Sequence, residues 1–311
     1  MKTAKWIKQG FVYSPVDRNR WMSSHAQMPI VHRVIGGEKL EIIFTTRDQQ
    51  NRSLPVSCEM DLKNPGKISN LTLDPFLTLG KPGCFDDAGV MPSCFIDYGG
   101  VRYLYYIGWN GASNVPFRNA IGLAVSEDGG KSYRKFSNGP LLDRSVESPY
   151  YVSTPFVRIE NGTWKMWFMS GLDWHFSSEE KPRSFYNIRY AESKDGVRWQ
   201  IFPEVALDFI HGHECAIARP WVSKNNGKYQ MWFCSRWDFY SIGYAESIDG
   251  YRWIRKEFEL GLSVSENGWD CKMVAYPYLY THEEETFLFY NGNSFGQTGI
   301  GFAKLEGKLG E

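Results

Sequence analysis

Four carboxylate positions recur at matching places along the chain. Asp87 (with Asp86 beside it), Glu147, Glu214 and Asp270 each lie five to eight residues ahead of a proline, at Pro92, Pro155, Pro220 and Pro277. Acidic side chains are among the least often buried. Several of them delivered to equivalent places suggest general acid–base chemistry or cation binding. The plainer alternative is that some of them only cap loops. A fifth proline, Pro29, follows Ser24-His25-Ala26-Gln27, where no carboxylate stands. A second set closes a series of aromatic runs: Arg47 and Asp48, Trp109 and Asn110, Asp173 and Trp174, Arg236 and Trp237, Asn291 and Asn293. Arg118, His213 and Arg219 add charge or donors nearby. Aromatic faces beside carboxylates and forked donors suit a sugar ring, whose C–H face stacks on apolar rings while its hydroxyls take hydrogen bonds. Trp174 and Trp237 would serve equally well as core.

Other chemistries find less support. His211-Gly212-His213-Glu214 offers two imidazoles on one face of a strand, but no third histidine is near, so no metal centre is expected. There is no GxSxG elbow, phosphate-binding P-loop or GxGxxG turn, and no cofactor is expected. The 35 basic and 35 acidic residues cancel, so no global field favours nucleic acid or an anionic membrane surface. No apolar run approaches the roughly 20 residues of a membrane span, and the first residues, MKTAKWIKQGFVYSP, lack a signal-peptide core. The six cysteines are scattered without a CxxC, which predicts free thiols and a cytoplasmic location.

The elements that must position these residues come from a repeat. YAESKDGVRW from Tyr190 returns as YAESIDGYRW from Tyr244, with weaker copies at Leu123 and Ile300. Ahead of each lies an aromatic run, and a fifth run stands at 40–48. Phe44, Tyr106, Trp167, Trp232 and Tyr290 are spaced by 62, 61, 65 and 58 residues, and the five prolines by 63, 63, 65 and 57. Each unit reads as a proline-bearing strand, an aromatic strand, a third strand ending near Ala-Glu-Ser, an Asp-Gly turn and a fourth strand starting at Trp or Tyr. Gly accepts the positive φ of such a turn. No sustained helical period is present. Four strands per unit, repeated radially, predict an all-β, five-bladed β-propeller in one domain covering 1–311. The units run approximately 22–84, 85–146, 147–213, 214–269 and 270–311 plus 5–13. The last unit lacks a fourth strand, and KWIKQGF (5–11) resembles the fourth strand RWIRKEF (252–258), so the N-terminal strand is expected to complete the last blade. In this reading Tyr190, Tyr244, Trp199 and Trp253 pack between blades and Asp195 and Asp249 shape turns. The chemistry belongs to the loops entering the inner strands, where polar groups converge on the axis.

The pattern, with FTTRDQQNRS (44–53), FDDAGVMPS (85–93), YYIGWN (105–110), STPFV (153–157) and the AESxDGxxW copies, resembles the five-bladed propeller glycosidases and their relatives, including β-mannoside phosphorylases. The likeness covers essentially the whole chain. It is nearest to bacterial proteins assigned as glycosyl hydrolases of surface-polysaccharide pathways. The resemblance implies cleavage or transfer of a glycosidic bond in a central pocket. Asp87, Glu147, Glu214 and Asp270 are the implied catalytic carboxylates, with Glu147 or Glu214 as general acid. His25, Arg47, Asp86, Trp109, Arg118, His213, Arg219 and Arg236 are the implied substrate-binding residues. In the hydrolase relatives an Asp just before the first proline acts as base; here Gln27-Met28-Pro29 fills that slot. The departure counts against ordinary hydrolysis and leaves hydrolysis, phosphorolysis and glycosyl transfer as the readings, with a carbohydrate or sugar phosphate as partner and Arg47, Arg52, Arg118, Arg219, Arg236 and His25 as a candidate phosphate cradle. A non-catalytic glycan-binding propeller is the alternative, and a protein-interaction platform is a third reading.

Overall fold

The computed structural model describes residues 4–15, 18–177, 182–256 and 260–307. The unit boundary at 311 and the last residues of RWIRKEF, 257–258, lie outside them. The described residues form an all-β, propeller-like assembly of antiparallel meanders. The first holds β2 (Ser24–Ile35), β3 (Lys39–Arg47), β4 (Ser53–Asp61) and β5 (Ile68–Ser69). The second holds β6 (Gly89–Tyr98), β7 (Val101–Asn110), β8 (Arg118–Ser126) and β9 (Arg134–Lys135). The third holds β10 (Val152–Glu160), β11 (Thr163–His175), β12 (Arg183–Ser193) and β13 (Gln200–Leu207). The fourth holds β14 (Ala216–Asn225), β15 (Lys228–Arg236), β16 (Tyr240–Ser247) and β17 (Ile254–Arg255). The last comprises β18 (Ala275–His282), β19 (Glu285–Asn291) and β20 (Ile300–Glu306), joined by β1 (Lys5–Tyr13).

β1 runs antiparallel to β20 with Lys5 opposite Glu306, so the first strand of the chain covers the edge of the last meander. The first strands neighbour one another in order: β2 with β6, β6 with β10, β10 with β14, β14 with β18, and β18 with β2. Neighbouring meanders are also stitched together twice by a short parallel pairing, Ser53 with Gly89 and Tyr186 with Ala216, which merges them into longer sheets.

Each proline sits at a bulge in a first strand. A proline has no N–H to give to the ladder, and a bulge is where that loss is tolerated. Met28, Thr154, Arg219 and Tyr276, each just before its proline, have φ of 53°, 43°, 57° and 57°. Left-handed backbone is unfavourable for residues carrying a Cβ, and four such residues stand along the ring of first strands.

Two Asp-Gly turns, in the third and fourth meanders, tie their meander to the one before it. In the fourth meander Asp249 Oδ1 accepts the backbone N–H of Tyr251 and Arg252, and Ser247 Oγ accepts that of Gly250. Gly250, at φ 82°, then offers its carbonyl to Trp167 Nε1 of the third meander at 2.8 Å. Tyr105 of the second meander bonds to Gly196 of the third in the same way, at 2.7 Å. The rings expected between meanders are there: Trp199 packs edge-on against Tyr105, and Trp253 against Trp167. The register also refines the repeat. Phe233, not Trp232, stands opposite Gly243, as Tyr106 stands opposite Gly122 and Tyr290 opposite Gly301.

Candidate functional site

The carboxylates ahead of the prolines are mostly committed to partners within their own meander. Asp86, 1% exposed, accepts hydrogen bonds from Tyr106 Oη at 2.9 Å and Lys135 Nζ at 2.6 Å. Asp270, 2% exposed, repeats this with Tyr290 Oη at 3.0 Å and Lys8 Nζ at 2.7 Å. Glu214 takes both ends of the Arg255 guanidinium, at 2.6 and 2.9 Å, and Arg255 lies over the Phe233 ring. Burial pushes the Glu214 carboxyl up, but Arg255 and the Ile210 N–H outweigh it and hold it below its usual value.

These three clamps have one geometry. Lys135, Arg255 and Lys8 stand on fourth strands, each opposite an alanine of the third: Ala124, Ala245 and Ala303. The acids are therefore drawn away from the first strands, which differs from the expectation of free carboxylates converging on the axis. In the third meander the place of the cation is taken by Ile201, opposite Ala191. Glu147 there accepts a hydrogen bond from Ser145 Oγ at 2.8 Å, and that hydroxyl, its own backbone N–H and the charge of Arg189 hold its carboxyl below the usual range. Asp87 remains half-buried and accepts the Gly83 N–H at 2.7 Å.

A different cluster gathers at the axial ends of the strands. His25 and Arg47 adjoin each other, and burial together with the Arg47 charge pushes His25 down to about 4. Arg47 donates from Nε to Gln27 Oε1 at 3.0 Å and from Nη1 to Asn51 Oδ1 at 2.7 Å. Arg236, which like Arg47 lies near Tyr276, donates from Nε to Tyr186 Oη at 3.0 Å and faces the rings of Tyr186 and Tyr240. The hydroxyls of Tyr186 and Tyr240 bond each other, and Tyr276 packs on Tyr240 with ring centres 5.7 Å apart. Tyr151 adjoins Tyr186, and its hydroxyl is buried near Ser184. Burial raises the Tyr151, Tyr240 and Tyr276 hydroxyls well above the ordinary tyrosine value, so they stay neutral donors. Among the described residues, neither Arg47 nor Arg236 forms an ion pair with a carboxylate. The arrangement can hold an oxyanion between cations and hydroxyl donors.

A cavity of about 330 Å³ opens on the same side of the fourth meander, lined by Leu172, Asp173, Phe185, Phe209, His211, Gly212, Glu214 and Trp237. It brings together an exposed indole, two carboxylates and a histidine. His211 lies 3.4 Å from Asp208 and Glu214 is held by Arg255, so the His-x-His-Glu stretch does not converge on one point. Among the described residues no group of three or more His, Cys, Asp or Glu could hold a metal ion. His213 and Arg118 are exposed, Arg118 opposite Asn110 at the start of β8. Trp109 is half-buried with its indole laid on Gly89, where an added Cβ would come within 1.7 Å of Nε1. Arg219 is 1% exposed and lies inside the molecule. Asn291 joins the last meander to the first, accepting the Met28 N–H at 2.7 Å and donating to Ala26 O at 2.5 Å.

The four tyrosines of the axial cluster were not singled out in the sequence, yet a signal was present. The repeat at 190 and 244 extends upstream into Phe185-Tyr186 and Phe239-Tyr240, the same fifty-four residues apart.

No protein-family model matches the chain. Among solved structures it is similar to a glycoside hydrolase (TM-score 0.73, 16% identity, covering 97% of this chain and 92% of the other). It is also similar to a thermostable family-43 glycoside hydrolase (TM-score 0.66, 19% identity, 91% and 88%). A third similar structure comes from work on glycoside hydrolases within the GH130 mannoside phosphorylases that target β-1,2 mannosidic linkages in Candida mannan (TM-score 0.69, 14% identity, 97% and 94%). At these identities the likeness is one of fold: the chain has the propeller-like fold of glycoside hydrolases. By sequence it is 38% identical over 301 residues to the uncharacterized protein Rv1502 of Mycobacterium tuberculosis strain H37Rv, covering 97% of this chain and 99% of that one. The protein MT1551 of strain CDC 1551 matches over the same length at the same identity. The chain therefore belongs to the family of Rv1502, on a fold shared with the glycosidase-like propellers.

Proposed function

We propose that this protein is a single-domain, five-bladed propeller that cleaves or transfers a glycosidic bond with an oxyanion in its axial pocket. The observation carrying this reading is the cluster of His25, Arg47 and Arg236 among neutral tyrosine hydroxyls, with no carboxylate among the described residues paired to either arginine. The ring of first-strand neighbours supports the five-bladed, one-domain description. The glycosidase-like neighbours support a carbohydrate substrate. With Gln27 where a hydrolase relative carries its base, water has no activating carboxylate there, whereas phosphate arrives already nucleophilic.

In phosphorolysis a phosphate oxygen, steadied by Arg47 and Arg236, forms a bond to the anomeric carbon as the glycosidic C–O bond breaks. The leaving oxygen then takes a proton. Glu147 is the carboxylate we assign to supply it, because Ile201 takes the fourth-strand place of the cation that clamps Asp86, Asp270 and Glu214, leaving Arg189 as a neighbouring charge. The sugar lies along Trp237, Asp173 and His211 of the cavity, and Trp109, Asp87, Arg118 and His213 are the further binding residues of this reading. Asp86, Asp270 and Glu214 serve this reading as supports that fix the loops carrying the site.

The test is to incubate the protein with mannosides and other oligosaccharides, with and without phosphate, and follow sugar 1-phosphate by phosphorus NMR. We expect phosphate-dependent product that falls at least about 100-fold in Glu147→Gln, in line with the loss of a general acid, and in Arg47→Met. Phosphate-independent release of reducing sugar would overturn the assignment. A second reading, a non-catalytic glycan-binding propeller, is favoured by the commitment of three of the four carboxylate positions to ion pairs. Binding across the screen without turnover decides for it.

A further inference from the structure

The structure encloses three carboxylates almost completely, and each has its cation: Asp48 with Arg52, Asp86 with Lys135, Asp270 with Lys8. Arg219 is enclosed to the same degree and, among the described residues, has no acid paired with it. Its backbone N–H donates to Thr154 Oγ1 at 3.2 Å, and Nη1 donates to Ser93 O at 2.9 Å and Ser93 Oγ at 2.5 Å. Ser93 Oγ in turn donates to Pro155 O, so this hydroxyl serves the arginine as an acceptor. Nε and Nη2 are buried without any acceptor among the described residues. Those two nitrogens form the fork of the guanidinium that matches a carboxylate or a similar anion.

The groups facing Arg219 are Cys94, Cys234, Tyr276 and Tyr278. Burial pushes both thiols up to about 12 and raises both tyrosine hydroxyls, so none is charged at neutral pH. An unneutralised buried cation is strongly unfavourable. Yet the fold spends a left-handed residue, φ 57°, to place this one. A cavity of about 480 Å³ begins beside it, sharing Cys94 and Tyr278 in its lining.

We propose that the Nε–Nη2 edge of Arg219 holds a small monovalent inorganic anion, a halide or a planar oxyanion of a few atoms, as a resident part of the folded molecule. The near-complete burial of Arg219 favours a small anion over a sugar or a sugar phosphate. The fork of Arg219 is a different set of donors from His25, Arg47 and Arg236, although Tyr276 adjoins both.

The experiment is thermal unfolding of protein prepared in sodium gluconate, titrated with chloride, bromide, nitrate or bicarbonate at constant ionic strength. A ligand bound only by the native state raises the folding constant about tenfold for each tenfold rise above its dissociation constant, a gain of a few degrees in Tm. We expect at least one of these anions to raise Tm well beyond gluconate, and the preferred one distinguishes a halide from an oxyanion. Arg219→Met removes the difference, whereas Arg236→Met retains it while losing phosphate or sugar binding. Crystals of the unaltered protein grown in bromide should show an anomalous peak within hydrogen-bonding distance of Nε, which decides the matter even if Arg219→Met fails to fold. Equal gains in the unaltered protein and Arg219→Met, no gain over gluconate, or water alone at Nε and Nη2 would each refute the site.

Discussion

His25 shows how one residue sets the electrical state of the axial cluster. Its Nδ1 lies 2.7 Å from Ser24 Oγ, and its ring is held near pH 4 by burial and by Arg47. An unfolded histidine titrates near 6.5. Between about pH 6.5 and 4 the unfolded chain therefore binds the proton that the folded molecule refuses. Stability from this source is full above the unfolded value and declines as the pH falls toward 4. His25→Gln, which never takes that proton, should flatten the midpoint-versus-pH curve between 6.5 and 4 and leave it unchanged above 7. Urea unfolding at half-unit pH steps measures this, and an unaltered slope would mean that His25 is protonated in the folded state. At this scale the sequence was legible in part. Arg47, Arg236 and His25 stood out by type and place. Their partners did not, because a tyrosine in a strand reads first as core and only the fold shows its hydroxyl meeting a guanidinium.

At the scale of elements, the repeated strand is a clamp. Trp253-x-Arg255, Trp6-x-Lys8 and Tyr133-x-Lys135 each put an aromatic ring between meanders and, two residues on, a cation against the acid that precedes the proline. Trp199-x-Ile201 keeps the ring and loses the cation. The strands, turns and prolines were visible in the sequence because their periods are local. The commitment of Asp86, Glu214 and Asp270 was not, since their partners lie 49, 41 and 262 residues away. Removing one partner of a buried pair leaves the other charge uncompensated, a loss of about 3–5 kcal/mol. Lys135→Met should therefore destabilise by about that much in urea unfolding. Lys63→Met, which breaks an exposed pair with Glu38, should leave the midpoint in place. Asp86→Leu combined with Lys135→Met should recover much of the loss, because no lone charge remains. If the double variant is as unstable as the sum of the single ones, the clamp contributes more than charge compensation. Gly250→Ala tests the turn, since φ 82° strains any residue with a Cβ and an added Cβ meets the Tyr229 ring at 3.3 Å. A loss of about 1–2 kcal/mol is expected.

Across the whole molecule, the first strand of the chain makes the last meander complete. β1 lies along β20 from Lys5 to Tyr13, the Trp6 indole donates to Leu260 O at 3.0 Å, and Lys8 neutralises Asp270. Trp6 also packs edge-on against Trp232 of the fourth meander, so this one strand binds the last meander and its neighbour together. Without it three things follow. β20 becomes an open edge able to pair with another chain, Asp270 becomes a buried charge without a cation, and the Trp232 cluster is opened to water. A variant lacking residues 1–13 should melt at least about 10 °C lower, since several kcal/mol are removed at about 2–4 °C each. It should also elute as dimers or larger species. Adding KWIKQGFVY as a separate peptide should restore the monomer and part of the Tm, because the groove it fills is already formed by β20. Lys8→Met within that peptide should weaken the rescue by exposing Asp270. A truncated chain that stays monomeric with an unchanged Tm would show that the last meander is stable with only three strands.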